Sequence, residues 1–189
     1  MRGSTMTLDA DVGETFASDE LDDEIRRWLD QEGISSKRIT EDDQADFHYT
    51  IQYPASTGDA NIHVVRPPGR PVLAMMLGVQ LSPNHKQPFQ ALPQDDKQGL
   101  IHAIRRCAFE GGDVGFAPQM EDDVLARWQL DISVYDDGLS QDRFFQSLRT
   151  LYTKHLELIE VLNQHLGPEA PADPEQESTT TGDNIRGYI

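Results

Sequence analysis

The 189-residue chain has one cysteine, four lysines and no apolar run that approaches a bilayer's thickness. Each shortage excludes something. A single Cys107 leaves no partner for an internal disulfide. A membrane-spanning helix needs about 18 or more consecutive apolar residues, so none is expected. The opening Met1-Arg2-Gly3-Ser4-Thr5-Met6-Thr7 lacks the apolar centre of a signal peptide, and a cytoplasmic chain is expected. Basic residues are also scarce: 16 Lys and Arg stand against 33 Asp and Glu, a formal charge of −17. Nucleic acid and anionic membrane surfaces both recruit basic patches, so neither is expected as a partner. Catalytic signatures are missing as well. There is no G-x-S-x-G, no G-x-x-x-x-G-K and no G-x-G-x-x-G after a strand. The one glycine cluster, Gly111-Gly112-Asp113-Val114-Gly115, follows a helical pattern and reads as a turn. No cofactor is expected.

What is abundant is short carboxylate. Asp outnumbers Glu 21 to 12, and Arg outnumbers Lys 12 to 4. Asp doublets at Asp22-Asp23, Asp42-Asp43, Asp95-Asp96, Asp122-Asp123 and Asp136-Asp137 share no spacing of a calcium loop or a two-metal site. This is the surface chemistry of proteins that work in high salt, where screening offsets the self-repulsion of a −17 chain.

Patterning divides the chain into a disordered acidic arm (1–17), one domain (18–167) and a tail (168–189) poor in core-forming residues. A first helix is expected after Ser18 as N-cap. Leu21, Ile25, Trp28 and Leu29 form its stripe, and Gly33 closes it. Phe47, Tyr49, Ile51 and Tyr53 alternate with polar residues as a half-buried strand. Ile62 and Val64 mark a second strand, and the nearly continuous apolar residues 72–81 a third. Pro93 opens a second helix carrying Leu100, Ile104, Cys107 and Ala108 on one face. Val114 and Phe116 start a short strand before Pro118. Val124, Ala126, Trp128, Leu130, Ile132 and Val134 then alternate through a long one. After Asp136-Asp137-Gly138, Ser140 caps a final helix to about Leu166, with Leu139 and Phe144 at staple spacing.

The order α-β-β-β-α-β-β-α, with strands in hairpin groups, predicts an α+β fold: an antiparallel sheet of about five strands with helices on one face. Across residues 19–166 this order, size and acidity resemble type III secretion chaperones and the related YbjN-like domains. That resemblance implies a small homodimer that holds extended client segments without hydrolysing them.

Few side chains suggest chemistry. If Ile51 pairs with Ile62 and Tyr49 with Val64, then Thr50 faces His63 and His48 is its diagonal neighbour. Two imidazoles begin a zinc site but no third ligand is signalled, so a solvated polar strand face is the expectation and no metal is assigned. Cys107 shares a face with Leu100 and Ile104 near a helix C-terminus, where the dipole disfavours a thiolate. It reads as a small buried hydrophobe. His155 and His165 fall in the series Phe144, Leu148, Leu151, His155, Leu158, Leu162, His165 and are expected at the rim of a packed face.

The expected function is a non-enzymatic protein-binding module, chaperone-like or adaptor. A structural subunit of a larger assembly is the alternative, followed by an enzyme with a dispersed site at His48, His63 and Asp131. The last helix is apolar around more of its circumference than one sheet face covers, so a homodimer through Leu158 and Leu162 is expected. Ile185, Tyr188 and Ile189 restore apolar character after the tail and are expected to dock on a protein partner.

Overall fold

The computed structural model describes residues 17–121 and 124–168. The elements are α1 (Ser18–Gln31), β1 (Ser36–Arg38), β2 (Phe47–Tyr53), β3 (Ala60–Arg66), β4 (Val72–Gln80), α2 (Pro83–Ala91), α3 (Gln94–Phe109), β5 (Gly115–Glu121), β6 (Val124–Tyr135) and α4 (Gln141–Leu166). A 3-10 turn, Asp136–Gly138, links the last two. The strands form one antiparallel sheet in the order β1-β2-β3-β4-β6-β5, and the fold is α+β.

The expected order holds with two additions. β1 makes the sheet six-stranded where about five strands were expected. Its three residues, Ser36, Lys37 and Arg38, are exposed and polar, so no alternation reveals them; pairing with Ile51, Thr50 and Tyr49 makes them a strand. The other addition is α2. Ser82 is its N-cap and Pro83 its first residue, but Pro88 inside the helix breaks the usual pattern. Phe89, fully buried, pins α2 to the core.

Two boundaries also shift. Ala17, not Ser18, holds the N-cap position of α1, and the Ser18 hydroxyl donates to Asp46 Oδ2 at 3.0 Å. β5 continues through Pro118, which is tolerated because the strand lies at the sheet edge. The other caps are as expected. Gly33, at φ +64°, ends α1 with N–H bonds from Gly33 to Asp30 O and from Ile34 to Leu29 O. Ser140 Oγ accepts from Arg143 N–H at 3.2 Å at the start of α4.

One core joins all four helices to one face of the sheet. Leu73, Met75 and Leu77 of β4 and Trp128, Leu130 and Ile132 of β6 meet Leu21, Ile25, Phe89, Leu100, Phe144 and Leu151 from above. Within the helix layer α4 is flanked on more than one side. The Trp28 ring of α1 lies 5.8 Å from that of Phe144. The Lys154 ammonium donates to the carbonyls of Cys107 (3.0 Å) and Glu110 (3.1 Å), closing the C-terminal end of α3. Two residues expected at a dimer interface lie inside this packing. Leu158 and Leu162 are each 0% exposed within the single chain, because neighbouring helices absorb the breadth of α4's apolar face.

Candidate functional site: the helix-free face of the sheet

Strand alternation sends every second side chain away from the helices. These include Lys37 on β1 and, on β2 to β6, His48, Thr50 and Gln52; Asn61, His63 and Val65; Val72, Ala74, Met76, Gly78 and Gln80; Arg127, Gln129, Asp131, Ser133 and Tyr135; and Gly115, Ala117 and Gln119. The chain carries 33 acidic residues, yet Asp131 is the one carboxylate among these positions. Arg127 is the one guanidinium, and it donates to Gln119. Small and uncharged side chains dominate the rest.

The register of β2 and β3 places Thr50 opposite His63, with Ile51 opposite Ile62 and Tyr49 opposite Val64, as expected. The environment of His48 differs from the expected solvated face: the residue is 6% exposed. The loop between β1 and β2 folds back over it, bringing Asp42 Oδ2 to 2.7 Å from His48 Nδ1. On its other side, His48 Nε2 lies 2.8 Å from His63 Nδ1. A hydrogen on His48 Nδ1, donated to Asp42, leaves Nε2 to accept from His63 Nδ1–H. The facing nitrogens satisfy each other. Sequence spacing pointed to the pair, but Asp42, six positions away in a loop, carried no signal. Among the described residues no group of three or more His, Cys, Asp or Glu is arranged to hold a metal ion.

Across the sheet, Asp131 stands opposite Gly115 on β5 and Met76 on β4. A Cβ on Gly115 would come 2.5 Å from Asp131 Oδ1, so the missing side chain is what gives this carboxylate its place. Partial burial pushes the Asp131 carboxyl above the ordinary carboxylate value. Among the described residues it has no hydrogen-bond or ion-pair partner. Between Asp131 and the histidines lies a small apolar patch: Val65 is 0% and Met76 3% exposed, and neither belongs to the core under the helices.

Neither sheet edge invites another strand. β1 is three residues long and carries Lys37 and Arg38. β5 carries Pro118 and a register shift between Gln119 and Met120. Charge, proline and bulges are the usual protections of exposed edges. The broad face is therefore the more accessible surface.

The remaining candidates are placed elsewhere. Cys107 is partly buried against the core, and burial, chiefly, pushes its thiol up, away from thiolate reactivity. His155 is partly buried on α4 with an unpartnered Nδ1, and burial lowers its basicity. His165 is exposed and bonds Val161 O at 2.8 Å. Ile185, Tyr188 and Ile189 lie outside the described residues. No described helix is long and apolar enough to cross a membrane.

A two-layer α+β domain with one covered and one helix-free sheet face is the class this architecture defines. The chain belongs to the family of uncharacterized conserved proteins DUF2299, whose family model matches residues 21–162. It is similar to an uncharacterized protein from Methanothermobacter thermautotrophicus, known from a crystal structure. Identity is 26% and the TM-score 0.71, over 80% of this chain and 100% of that one. More distant likenesses are YbjN from E. coli, at 17% identity and TM-score 0.47, and the ExsC-ExsE complex, at 16% and 0.39. The first spans 76% of this chain and 93% of that one, the second 79% and 97%. No curated protein matches.

Proposed function

We propose that this chain is a protein-binding module that acts without a catalytic step, and that the helix-free face receives its partner. The observation that carries the reading is the loss of charge from one face of a chain at −17. A solvated acidic surface gains nothing from keeping a face poor in carboxylates, whereas the centre of a protein interface is depleted of charge. Asp131 supplies a point of specificity. Partly dried and unpaired, it gains more from a lysine or arginine of a partner than a fully hydrated surface carboxylate would. The histidine pair fits a positioning role better than acid–base chemistry, since its facing nitrogens are already bonded to each other.

A photo-crosslinking residue at Gln129, on this face, tests the reading in native cells against the same residue at Arg149, exposed on α4. A protein captured at position 129, absent at 149 and lost when Asp131→Arg is added, is the expected result. Equal capture at both positions would reject the face as a binding surface.

A further inference from the structure

Two glycines flank Asp131 and do different work. Gly115 lies directly opposite on β5, and the Asp131 carboxylate fills the space a Cβ would take there, 2.5 Å from Oδ1 and 2.6 Å from Oδ2. Gly78, across from Gln129 on β4 and so diagonal to Asp131, has nothing within 4 Å of the position a Cβ would occupy. One glycine seats the carboxylate, and the other leaves the floor beside it open. Gly78 is exposed, and so are Ala117 on β5 and Ser133 on β6. Met76, opposite Asp131 on β4, is 3% exposed and offers no surface of its own.

The cations nearest in the fold are held elsewhere. Arg127, four positions along β6, donates to Gln119. His63 lies two strands away with Met76 between. Among the described residues no donor reaches either oxygen of Asp131, although the carboxylate is partly dried.

We propose that this notch receives the guanidinium of an arginine on the partner segment, paired fork to fork with Asp131 and flat against the small residues beside it. Chemistry selects arginine over lysine. Two open carboxylate oxygens match two parallel N–H donors, which a guanidinium has and an ammonium lacks. Guanidinium is also the more weakly hydrated cation, so less is lost when it meets a partly buried group. Its planar shape suits a floor of glycine, alanine and serine. Charge complementarity points the same way: at −17 the chain draws basic segments from a distance, and Asp131 fixes where one of their residues lands. Gly115 and Gly78 then set specificity, the first by seating the carboxylate and the second by leaving room for the arginine.

The test selects displayed peptides of about twelve random residues on the full chain in about 1 M potassium chloride. That salt shortens the Debye length to about 3 Å and silences the general attraction of the surface, whereas a partly buried pair is screened less. The selected peptides are expected to share one arginine. Changing it to lysine, or to neutral citrulline of the same shape, should weaken binding at least about tenfold. Asp131→Asn, Gly115→Ala and Gly78→Val in the protein should each do the same. Asp131→Asn keeps the shape of the side chain, and thermal unfolding of each variant confirms that the fold is retained.

Peptides without a shared arginine would overturn the inference, as would full-strength binding to Asp131→Asn. Lysine bound as tightly as arginine would also overturn it, since only a point charge would then be recognised. The inference rests on the helix-free face being a docking surface, yet the two readings fail separately. Capture at position 129 together with peptides that lack the arginine would keep the docking face and remove this inference.

Discussion

Arg66 and Asp136, seventy positions apart, meet as a fork-to-fork ion pair with side chains 5% and 2% exposed. Arg66 ends β3 and Asp136 follows β6, so the pair ties two strands separated by β4 to one corner of the sheet. Asp136 N–H also donates to Pro71 O at 3.1 Å, which fixes the turn that feeds α4. Removing one partner leaves the other charge buried and alone. Asp136→Ala is expected to cost about 3–5 kcal/mol of unfolding free energy, whereas joint replacement by Met at 66 and Leu at 136 recovers most of it. Urea denaturation of the three chains checks both statements; a single mutant as stable as the double would contradict them.

Asp131 should reveal its environment through stability. Its folded-state value is raised above 3.8 by burial, so the native state holds the proton more tightly than the unfolded chain does. Any gain from this is present below about pH 4 and is lost as the pH rises through the raised value. At neutral pH the native carboxylate is a net cost. Asp131→Asn, discounted for the partial exposure of the site, should stabilise the fold by roughly 0.5–1 kcal/mol near pH 7 and leave it unchanged in acid. Thermal unfolding at both pH values measures the difference.

His155 titrates in the opposite sense. Burial lowers it below 6.5, and its Nδ1 has no partner. Well above 6.5 both states are neutral there and the residue adds no pH dependence. As the pH falls below 6.5 the unfolded chain takes up a proton that the native state resists, so stability declines towards the lowered value. His155→Leu is expected to remove roughly 0.5–1 kcal/mol of the acid-side loss between about pH 7 and 5. Superimposable pH–stability curves for the two chains would show that the ring is not buried in solution.

Salt should matter as much as pH. At −17, with 33 carboxylates, self-repulsion opposes the compact state, and added ions screen it. The unfolding temperature is expected to rise by about 5–10 °C between dilute buffer and about 2 M potassium chloride. The Arg66–Asp136 pair is sheltered from that screening, so the Asp136→Ala deficit should persist at both salt concentrations. A melting point that ignores salt would remove the high-salt reading of the composition.

Elements whose signals are local could be read directly from residue order. The alternation from Val124 to Val134 predicts a strand, and β6 runs from Val124 to Tyr135 because period-two burial cannot be met by a helix. Ser140 and Gly33 mark helix ends because cap chemistry acts over only a few residues. The pairing of Thr50 with His63 also followed from patterning, since a one-residue slip would turn Ile51 and Ile62 out of the core. Contacts between distant segments set the rest. Ser36, Lys37 and Arg38 form a strand solely because β2 offers them an edge. Asp42 reaches His48 by a loop closure that spacing does not encode. Leu158 and Leu162 carry the same apolar signal whether a second subunit or the chain's own core covers them, and which neighbour arrives is a property of the whole chain's packing. Burial depends on what comes to lie alongside, and hydropathy records only that something must.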